Sequence, residues 1–312
     1  MFSLTLCLLM YFTNHTLVFH GGQFIPAEQA QCSLYASSLH YGHAVFEGIR
    51  AYDTANGTRV FKIKEHYERL AYSCRATSIP LAYSVQELTD ITYQLLKKNN
   101  LSNAYIRPLV YAPDPMMSIK APTSSSLFMA AWEWGNYFSN QLTRLTISPY
   151  QRPNPKSVPI EAKVSGHYAN SIIASHEAKS RGYDEALLLD INGYVAEGPG
   201  SNFFYEWDGA LYTAPAGNIL QGITRNTIIE LARNMGIPVF EEFFTPETLH
   251  HATGAFLTGT AAEVVGVASI DDHVFETPYE ATIGARLAAA YAALVREEVG
   301  ARATRPAVEH SA

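Results

Sequence analysis

Cysteine is scarce in this sequence. The 312 residues contain three, Cys7, Cys32 and Cys74, which form no Cys-x-x-Cys pair and no metal-ligand spacing. An odd and scattered set argues against a disulfide framework and favours free thiols in a reducing compartment. The pattern therefore predicts a cytoplasmic protein that holds no metal.

Long apolar runs and an excess of positive charge are also missing. The apolar start, residues 1–12, is too short to span a bilayer and lacks the basic start and cleavage site of a signal peptide. The formal net charge of -7 gives no support to nucleic-acid binding, which needs a basic face. We therefore expect neither a membrane nor a nucleic acid as a partner.

Charged residues make up only 16% of the chain, whereas 47% of it is hydrophobic, which is typical of a compact protein with a large buried fraction. A chain of 312 residues is long enough for two domains, each with its own core. The periodic pattern weakens near residues 136–140, where we place a connection. The predicted organisation is an N-terminal extension (1–15), a small α/β domain (16–135), a connection (136–142), a larger domain (143–300) and a C-terminal tail (301–312).

Turn and capping residues mark several element boundaries. Ser84 followed by Glu87 is a capping box that predicts the start of a helix. Asn192-Gly193 predicts the turn of a hairpin over residues 185–197. Thr277 followed by Glu280 predicts a second capping box, which would open a long helix reaching residue 298.

Lys163 lies among small and apolar residues, including Ala162, Val164 and Gly166. Such surroundings can desolvate a lysine, which disfavours the ammonium form and lowers the pKa. The free amine can then attack a carbonyl, as Schiff-base chemistry requires. The alternative from these residues alone is a surface lysine on a loop.

Two glycine-rich segments are candidate ligand sites. Gly222 and Thr224 precede a predicted helix with Thr224 as its N-cap, and free N–H groups at a helix start suit a phosphate. Glu197 enters a glycine-rich turn after a buried strand, which makes it a candidate partner for a buried cation. An ordinary capped helix and a solvated turn acid remain the alternatives.

Tyr105 and Arg107 belong to a predicted strand, residues 104–111. Strand side chains repeat every two residues, so these two share a face and together could receive a carboxylate. An exposed sheet face is the alternative. Arg69 lies in a predicted helix and signals nothing by itself.

The order of these motifs, from about Thr16 to Glu298, closely resembles the branched-chain amino acid aminotransferases, which are class IV, or fold-type IV, pyridoxal phosphate enzymes. The motifs are His40-Tyr41-Gly42, Phe46-Glu47-Gly48-Ile49-Arg50, Glu65-His66-Tyr67-Glu68-Arg69-Leu70, Tyr105-Ile106-Arg107-Pro108, Lys163 with Tyr168, Glu197-Gly198, Gln221-Gly222-Ile223-Thr224 and Thr258-Gly259-Thr260-Ala261-Ala262-Glu263. The resemblance implies pyridoxal 5'-phosphate as cofactor, with Lys163 as the catalytic residue that holds it as a Schiff base and moves the Cα proton.

The resemblance also implies a role for each matching residue. Glu197 would pair with the pyridinium nitrogen, Tyr168 with the ring oxygen, and Arg107 with the distal carboxylate of glutamate or 2-oxoglutarate. The implied cofactor-binding residues are Arg69, Lys163, Tyr168, Glu197, Gly222, Ile223, Thr224, Gly259 and Thr260. The implied substrate-binding residues are Tyr41, Phe46, Gly48, Tyr105, Arg107, Trp134, Tyr137, Thr260 and Ala261.

The implied fold is α/β of the α+β type, with a small N-terminal domain, a larger domain with an antiparallel or mixed sheet, and the cofactor between them. The implied reaction is transamination of leucine, isoleucine and valine with 2-oxoglutarate, in a homodimer whose partner chain completes the pocket. The alternatives are a class IV enzyme acting on (R)-amines, D-amino acids or aminodeoxychorismate, and a non-catalytic protein that binds pyridoxal phosphate. Gln221 departs from the family pattern, since many relatives have proline there.

Overall fold

The computed structural model describes residues 12–13, 15–113, 119–134 and 142–296. The helices are α1 (Ser37–Tyr41), α2 (Ile63–Ala76), α3 (Val85–Lys98), α4 (Tyr168–Ser180), α5 (Ile223–Asn234) and α6 (Ile283–Arg296). The strands are β1 (Leu17–His20), β2 (Gln23–Pro26), β3 (Ala44–Phe46), β4 (Ile49–Thr54), β5 (Gly57–Val60), β6 (Ala104–Tyr111), β7 (Ser126–Glu133), β8 (Thr143–Gln151), β9 (Glu185–Leu189), β10 (Val195–Glu197), β11 (Asn202–Trp207), β12 (Ala210–Thr213), β13 (Val239–Glu241), β14 (Gly254–Gly259), β15 (Glu263–Ile270) and β16 (His273–Val274).

The first sheet contains β1–β7 in the order β2-β1-β7-β6-β4-β5, with β3 paired to β6. All of its pairings are antiparallel. Leucines of α2 and α3, such as Leu70 and Leu88, pack with Ile106 of the sheet in one buried cluster. Burial of such side chains contributes about 1.5–3 kcal/mol each, and this packing fixes α2 against the sheet.

The second sheet contains β8–β16 and is mixed. Its main path is β10-β9-β8-β15-β14-β11-β12-β13, in which β8 runs parallel to both β9 and β15. Ile228 of α5 and Leu287 of α6 pack against Phe256 of β14. Ala174 and Ala178 of α4 are buried in a separate small cluster with the β9 residues.

Each sheet is built from one continuous part of the chain, so the predicted mixed fold with two α/β units is confirmed. The domain limits stay a prediction, because residues 136–141 of the predicted connection (136–142) lie outside the described residues, as do residues 1–11 and 297–312. Within the described ranges, no helix is long and apolar enough to cross a membrane. The same ranges bring no three metal-ligating side chains together.

The strand and turn predictions from local pattern are largely confirmed. The predicted strand 104–111 is β6, and the 185–197 hairpin is β9 paired with β10. At the start of α3, Ser84 Oγ accepts from the Glu87 backbone N–H at 3.2 Å and the Glu87 carboxylate accepts from the Ser84 N–H at 2.7 Å. This is the predicted capping box.

The predicted N-cap of α5 is wrong. The helix begins at Ile223 and its N-cap is Gly222, which has extended backbone angles and no side-chain cap. Thr224 is already inside the first turn. A glycine is required because a Cβ at position 222 would come 2.0 Å from Asn202 Oδ1. The close approach of Asn202 therefore explains the glycine at the N-cap position.

The second predicted capping box is also wrong. Residues Tyr279–Ala281 form a 3-10 turn, and α6 begins only at Ile283. The backbone N–H groups of Ile283 and Gly284 donate to the Glu206 carboxylate of β11 at 2.8 and 2.7 Å. A buried acid that is distant in sequence thus caps the helix in place of Glu280, which is exposed.

We expect Glu206→Ala to lower the free energy of unfolding by about 2 kcal/mol. Two buried N–H groups would lose their acceptor at roughly 1–3 kcal/mol each, and removing a buried charge offsets part of that loss. Burial raises the pKa of Glu206, which is consistent with this offset. Urea unfolding measures the change, with Glu280→Ala as the control, for which we expect less than about 0.5 kcal/mol. Equal losses would contradict the assignment of the cap.

Candidate active site

A cleft with about 590 Å³ of space free of protein atoms, open solvent included, lies between α2, which packs on the first sheet, and elements of the second sheet. The residues that line it come from α2, the segment before α4, the turn after β10, the start of α5 and the end of β14. All nine predicted cofactor-binding residues line it: Arg69, Lys163, Tyr168, Glu197, Gly222, Ile223, Thr224, Gly259 and Thr260.

Lys163 is held by the first part of the chain through its backbone. Its N–H donates to Ser73 Oγ of α2 at 2.9 Å, and its carbonyl accepts from the Phe46 N–H at 3.1 Å. The half-buried side chain places Nζ 2.6 Å from the Tyr168 hydroxyl and 4.9 Å from the centre of the Phe46 ring. The amine is thus fixed between two aromatic rings with one polar partner.

Arg69 is held by three hydrogen bonds. Its Nε and Nη2 donate to the two carboxylate oxygens of Glu47 at 2.7 and 2.8 Å, and its Nη1 donates to the Gln221 carbonyl at 2.9 Å. A guanidinium carries five N–H groups, so two remain for an anion in the cleft. Because the partner at position 221 is a backbone carbonyl, the departure from proline there leaves this contact possible.

Glu47 and His66 form a buried support behind Arg69 that the sequence analysis missed. Burial alone would raise the pKa of Glu47, but the adjacent Arg69 charge outweighs it and holds that pKa well below its usual range. Burial lowers the pKa of His66, so its neutral form donates from Nδ1 to Glu47 Oε2 at 2.8 Å. The available signal was the spacing of His66 and Arg69, three residues apart on one helix face.

The start of α5 and the end of β14 form the part of the cleft suited to an anion. No side chain caps the first turn of α5, and the residues of that turn line the cleft. Its backbone N–H groups are therefore available to a ligand. Thr258 Oγ1, which lines the same cleft, is buried without a hydrogen-bond partner among the described residues. Free donors at a helix start and an unsatisfied hydroxyl are features that a bound phosphate compound would complete.

Glu197 is buried and receives polar contacts on both carboxylate oxygens. Oε1 lies 2.9 Å from Arg152 Nε and accepts from the Leu220 N–H at 3.1 Å, and Oε2 accepts from Asn202 Nδ2 at 2.9 Å. Burial raises the pKa of Glu197, and the charge of Arg152 opposes that rise. Neither Arg152 nor Asn202 was predicted as a site residue.

The predicted substrate residues form a second group beside the cleft. Phe46 packs on Tyr168 with ring centres 4.9 Å apart, and the guanidinium carbon of Arg107 lies 4.8 Å from the Phe46 ring centre. Arg107 Nη2 donates to the Tyr105 hydroxyl at 3.0 Å, which confirms that these two share a strand face. The rings of Tyr105 and Trp134 have centres 4.9 Å apart.

This group joins the turn that follows β14. Trp134 Nε1 donates to the Ala261 carbonyl at 3.2 Å, so the first part of the chain contacts the turn that holds the predicted substrate-binding residues Thr260 and Ala261. Gly48 leaves the space that the Tyr105 hydroxyl occupies, since a Cβ there would come 2.0 Å from it. The group therefore runs continuously from Lys163 through the aromatic rings to the turn.

One predicted substrate residue, Tyr41, is not part of this group in the single chain. Tyr41 ends the short helix α1 and is 53% exposed. Tyr137 lies outside the described residues. The arrangement that is described still combines an amine, a buried carboxylate, an anion-binding helix start and an arginine beside aromatic rings.

Comparisons with known proteins agree with this arrangement. The family model described as amino-transferase class IV matches residues 44–270. The branched-chain-amino-acid aminotransferase of Escherichia coli (strain K12) is 38% identical over 261 residues, which cover 81% of this chain and 84% of that protein. The crystal structure of the branched-chain aminotransferase from Thermoproteus uzoniensis with norvaline has a TM-score of 0.86 at 36% identity, and covers 90% of this chain and 94% of that one.

A second solved structure, the branched-chain amino acid aminotransferase from Thermobaculum terrenum in its PLP-form, has a TM-score of 0.84 at 31% identity, and covers 91% of this chain and 94% of that one. The family model spans well over half of the chain, and the relatives align over most of its length. This protein therefore belongs to the class IV aminotransferases and is a transaminase.

Proposed function

We propose that this protein uses pyridoxal 5'-phosphate to transfer the amino group between branched-chain L-amino acids and 2-oxoglutarate. Leucine, isoleucine and valine would give branched 2-oxo acids, and 2-oxoglutarate would give L-glutamate. The curated and solved relatives named above carry the branched-chain name, which supports the substrate class, and one of the solved structures contains the cofactor.

The cleft residues fit this cofactor. Arg69 and the start of α5 suit the phosphate, the Lys163 amine suits the aldehyde, and buried Glu197 suits the ring nitrogen. The unpaired Thr258 hydroxyl also calls for a polar group in the cleft. When bound, pyridoxal phosphate supplies an electron-withdrawing ring that stabilises negative charge at the substrate Cα.

The chain's own residues would then perform the remaining steps. Lys163 removes and returns the Cα proton, and the Tyr168 hydroxyl, 2.6 Å from Nζ, orients the amine. Buried Glu197 would keep the ring nitrogen protonated, because its carboxylate has acceptor capacity left beside Asn202 and Leu220. Arg69 and the α5 N–H groups bind the phosphate and fix the ring in the cleft.

The environment of Arg107 is the main structural support for the proposed pair of substrates. Its guanidinium has no carboxylate within ion-pair distance in the described part of the chain, and its buried Nε has no hydrogen-bond partner there. The same side chain packs against Phe46. An unpaired cation beside an aromatic wall can bind either an acidic side chain or an apolar one.

We expect Arg107→Ala to weaken the reaction with glutamate and 2-oxoglutarate by on the order of 10–1000-fold, because a charge-assisted pair is lost. Leucine and valine gain mainly from apolar burial, about 0.8 kcal/mol per CH₂, and should change far less. Rapid-mixing measurement of the cofactor absorption change, with each amino acid separately, gives both values.

Two control variants sharpen this test. Arg107→Lys keeps the charge without the planar fork and should fall between parent and alanine variant. Arg144→Ala removes an exposed arginine of β8 and should leave both half-reactions unchanged. Equal losses for leucine and glutamate would mean that Arg107 is structural or binds the α-carboxylate.

A donor panel tests the function as a whole. Leucine, isoleucine, valine, a D-amino acid and an (R)-amine are each supplied with 2-oxoglutarate, and the glutamate formed is measured. We expect the three branched-chain amino acids to react fastest. Faster reaction of the D-amino acid or the amine would favour the other class IV activities, and a cofactor band that no donor shifts would indicate binding without turnover.

We also propose a homodimer located in the cytoplasm. Several large apolar side chains near α1 are exposed in the single chain, which supports a covering partner: Leu34, Tyr35, Leu39 and Tyr41. A partner at this surface would bury Tyr41 and complete the pocket. The free thiols Cys32 and Cys74 support a reducing compartment. Light scattering of the purified protein measures the assembly state.

A further inference from the structure

Arg152 stands at the cleft because the register of β8 changes. The β8–β9 pairing shifts between Ile147 and Gln151, and the Arg152 N–H then donates to the Leu189 carbonyl at 2.8 Å. Bulges of this kind redirect side chains and recur beside active sites. The Arg152 side chain is 8% exposed and lines the cleft.

We infer that Arg152 is a positioning residue that supplies the counter-charge of Glu197 and reserves one carboxylate oxygen of Glu197 for the cofactor ring. The inference rests on the proposed role of Glu197. Its first support is that Glu197 is the only carboxylate within ion-pair distance of Arg152 among the described residues.

The contacts of Glu197 divide its two oxygens. Oε1 lies 2.9 Å from Arg152 Nε in an ion pair that is not a hydrogen bond, and it accepts one hydrogen bond, from the Leu220 N–H. Oε2 accepts one hydrogen bond, from Asn202 Nδ2, and Asn202 is held in turn because the same Nδ2 donates to the Leu220 carbonyl at 2.9 Å. The charged Arg152 side chain lies beside Oε1, whereas the neighbour of Oε2 is a neutral amide, so we assign the acceptor site for the ring to Oε2.

The Arg152 charge also affects whether the proton between the ring nitrogen and the Glu197 carboxylate stays on the nitrogen. A proton between a ring nitrogen and a carboxylate lies on the more basic of the two. A cation beside Glu197 makes the carboxylate less basic, whereas burial makes it more basic. Without Arg152, Glu197 would therefore compete for the proton that the ring nitrogen must keep. Lys163 and Arg225 also act on Glu197 through their charges, but neither is in ion-pair contact with it.

The test measures the ring nitrogen directly. Parent and Arg152→Met proteins are loaded with pyridoxal phosphate labelled with ¹⁵N in the ring, and the nitrogen chemical shift reports its protonation. We expect a protonated value in the parent, a shift toward the neutral value in Arg152→Met, and a kcat lower by roughly 10–100-fold. Arg144→Met, at an exposed position of β8, the strand that Arg152 directly follows, is the control and should resemble the parent.

Two further variants separate the possible outcomes. Arg152→Lys keeps a cation and should retain most of the ring protonation, which also keeps the test valid if Arg152→Met folds poorly. In a Glu197→Gln background, Arg152→Met should cost almost nothing further, because a residue that acts through Glu197 has no effect once the carboxylate is absent.

The result that overturns the inference is a parent-like nitrogen shift in Arg152→Met, or losses that add fully in the double variant. If Glu197→Gln itself leaves the nitrogen shift and turnover unchanged, the proposed role of Glu197 has failed, and the inference about Arg152 fails with it. A shifted nitrogen in Glu197→Gln but not in Arg152→Met rejects only the role of Arg152.

Discussion

Lys163→Ala is expected to abolish covalent attachment of pyridoxal phosphate and to lower transamination by roughly 10⁴-fold or more. One side chain would lose two functions, the amine that attaches the cofactor and the base that moves the Cα proton, and the second alone is worth about 10²–10⁴-fold. Nζ points into a cleft where its hydrogen-bond partner is the Tyr168 hydroxyl. No neighbouring amine in the described residues lines this cleft to replace it.

Borohydride reduction followed by mass spectrometry measures attachment, because reduction fixes a lysine-bound cofactor to the chain. The parent should gain the mass of the reduced cofactor and Lys163→Ala should not. Lys156→Ala removes an exposed lysine from the same segment and is the matched control. Tyr168→Phe should keep the attachment and lose only part of the rate. Cofactor still trapped on Lys163→Ala would reject the assignment.

The sequence predicted best those features that depend on spacing within one element. Tyr105 and Arg107 share a face because strand side chains alternate, and the 3.0 Å contact between them follows from that rule. The hairpin predicted from Asn192-Gly193 is another case, since Gly193 adopts the positive φ of 87° in the turn between β9 and β10. The grouping of nine cofactor residues in one cleft followed from motif order, which the family resemblance supplied.

Features that depend on contacts between distant elements were not predicted. The predicted cap of α6 was wrong because Glu206 on β11 accepts from its first N–H groups, and the predicted cap of α5 was wrong because the N-cap is Gly222, where Asn202 on β11 leaves no room for a side chain. Arg152 was missed because a register shift in β8 directs it to the cleft. Such positions are set by the tertiary structure, so local propensity contains no signal for them.

Glu197→Gln is expected to lower kcat by on the order of 10²–10³-fold. A carboxylate that holds the ring nitrogen protonated makes a charge-assisted bond, and losing one partner of a buried charged pair typically costs about 2–5 kcal/mol. The neutral amide cannot supply that charge. The ring would then withdraw electrons less strongly when the Cα proton leaves.

The similar volume of glutamine suggests that folding would be little affected, but the contacts of Glu197 argue otherwise. Arg152, which is 8% exposed, would lose its only ion-pair partner in the described chain, and its charge would remain buried. The N–H₂ group of the introduced amide would also face a donor, either Arg152 or Asn202. Breaking a buried pair on one side costs about 3–5 kcal/mol, so we expect a lower Tm as well.

The two effects of Glu197→Gln are separated by measuring kcat well below the variant's Tm, at saturating pyridoxal phosphate, with bound cofactor quantified. Glu197→Asp provides the control, because it keeps the charge and shortens the side chain by one methylene. It should retain more activity than the glutamine variant even if its Tm falls as far, since charge and not shape sustains the ring proton. A Glu197→Gln protein that transaminates leucine at nearly the parent rate would show that the ring nitrogen does not depend on this carboxylate, and the catalytic role of Glu197 would have to be abandoned.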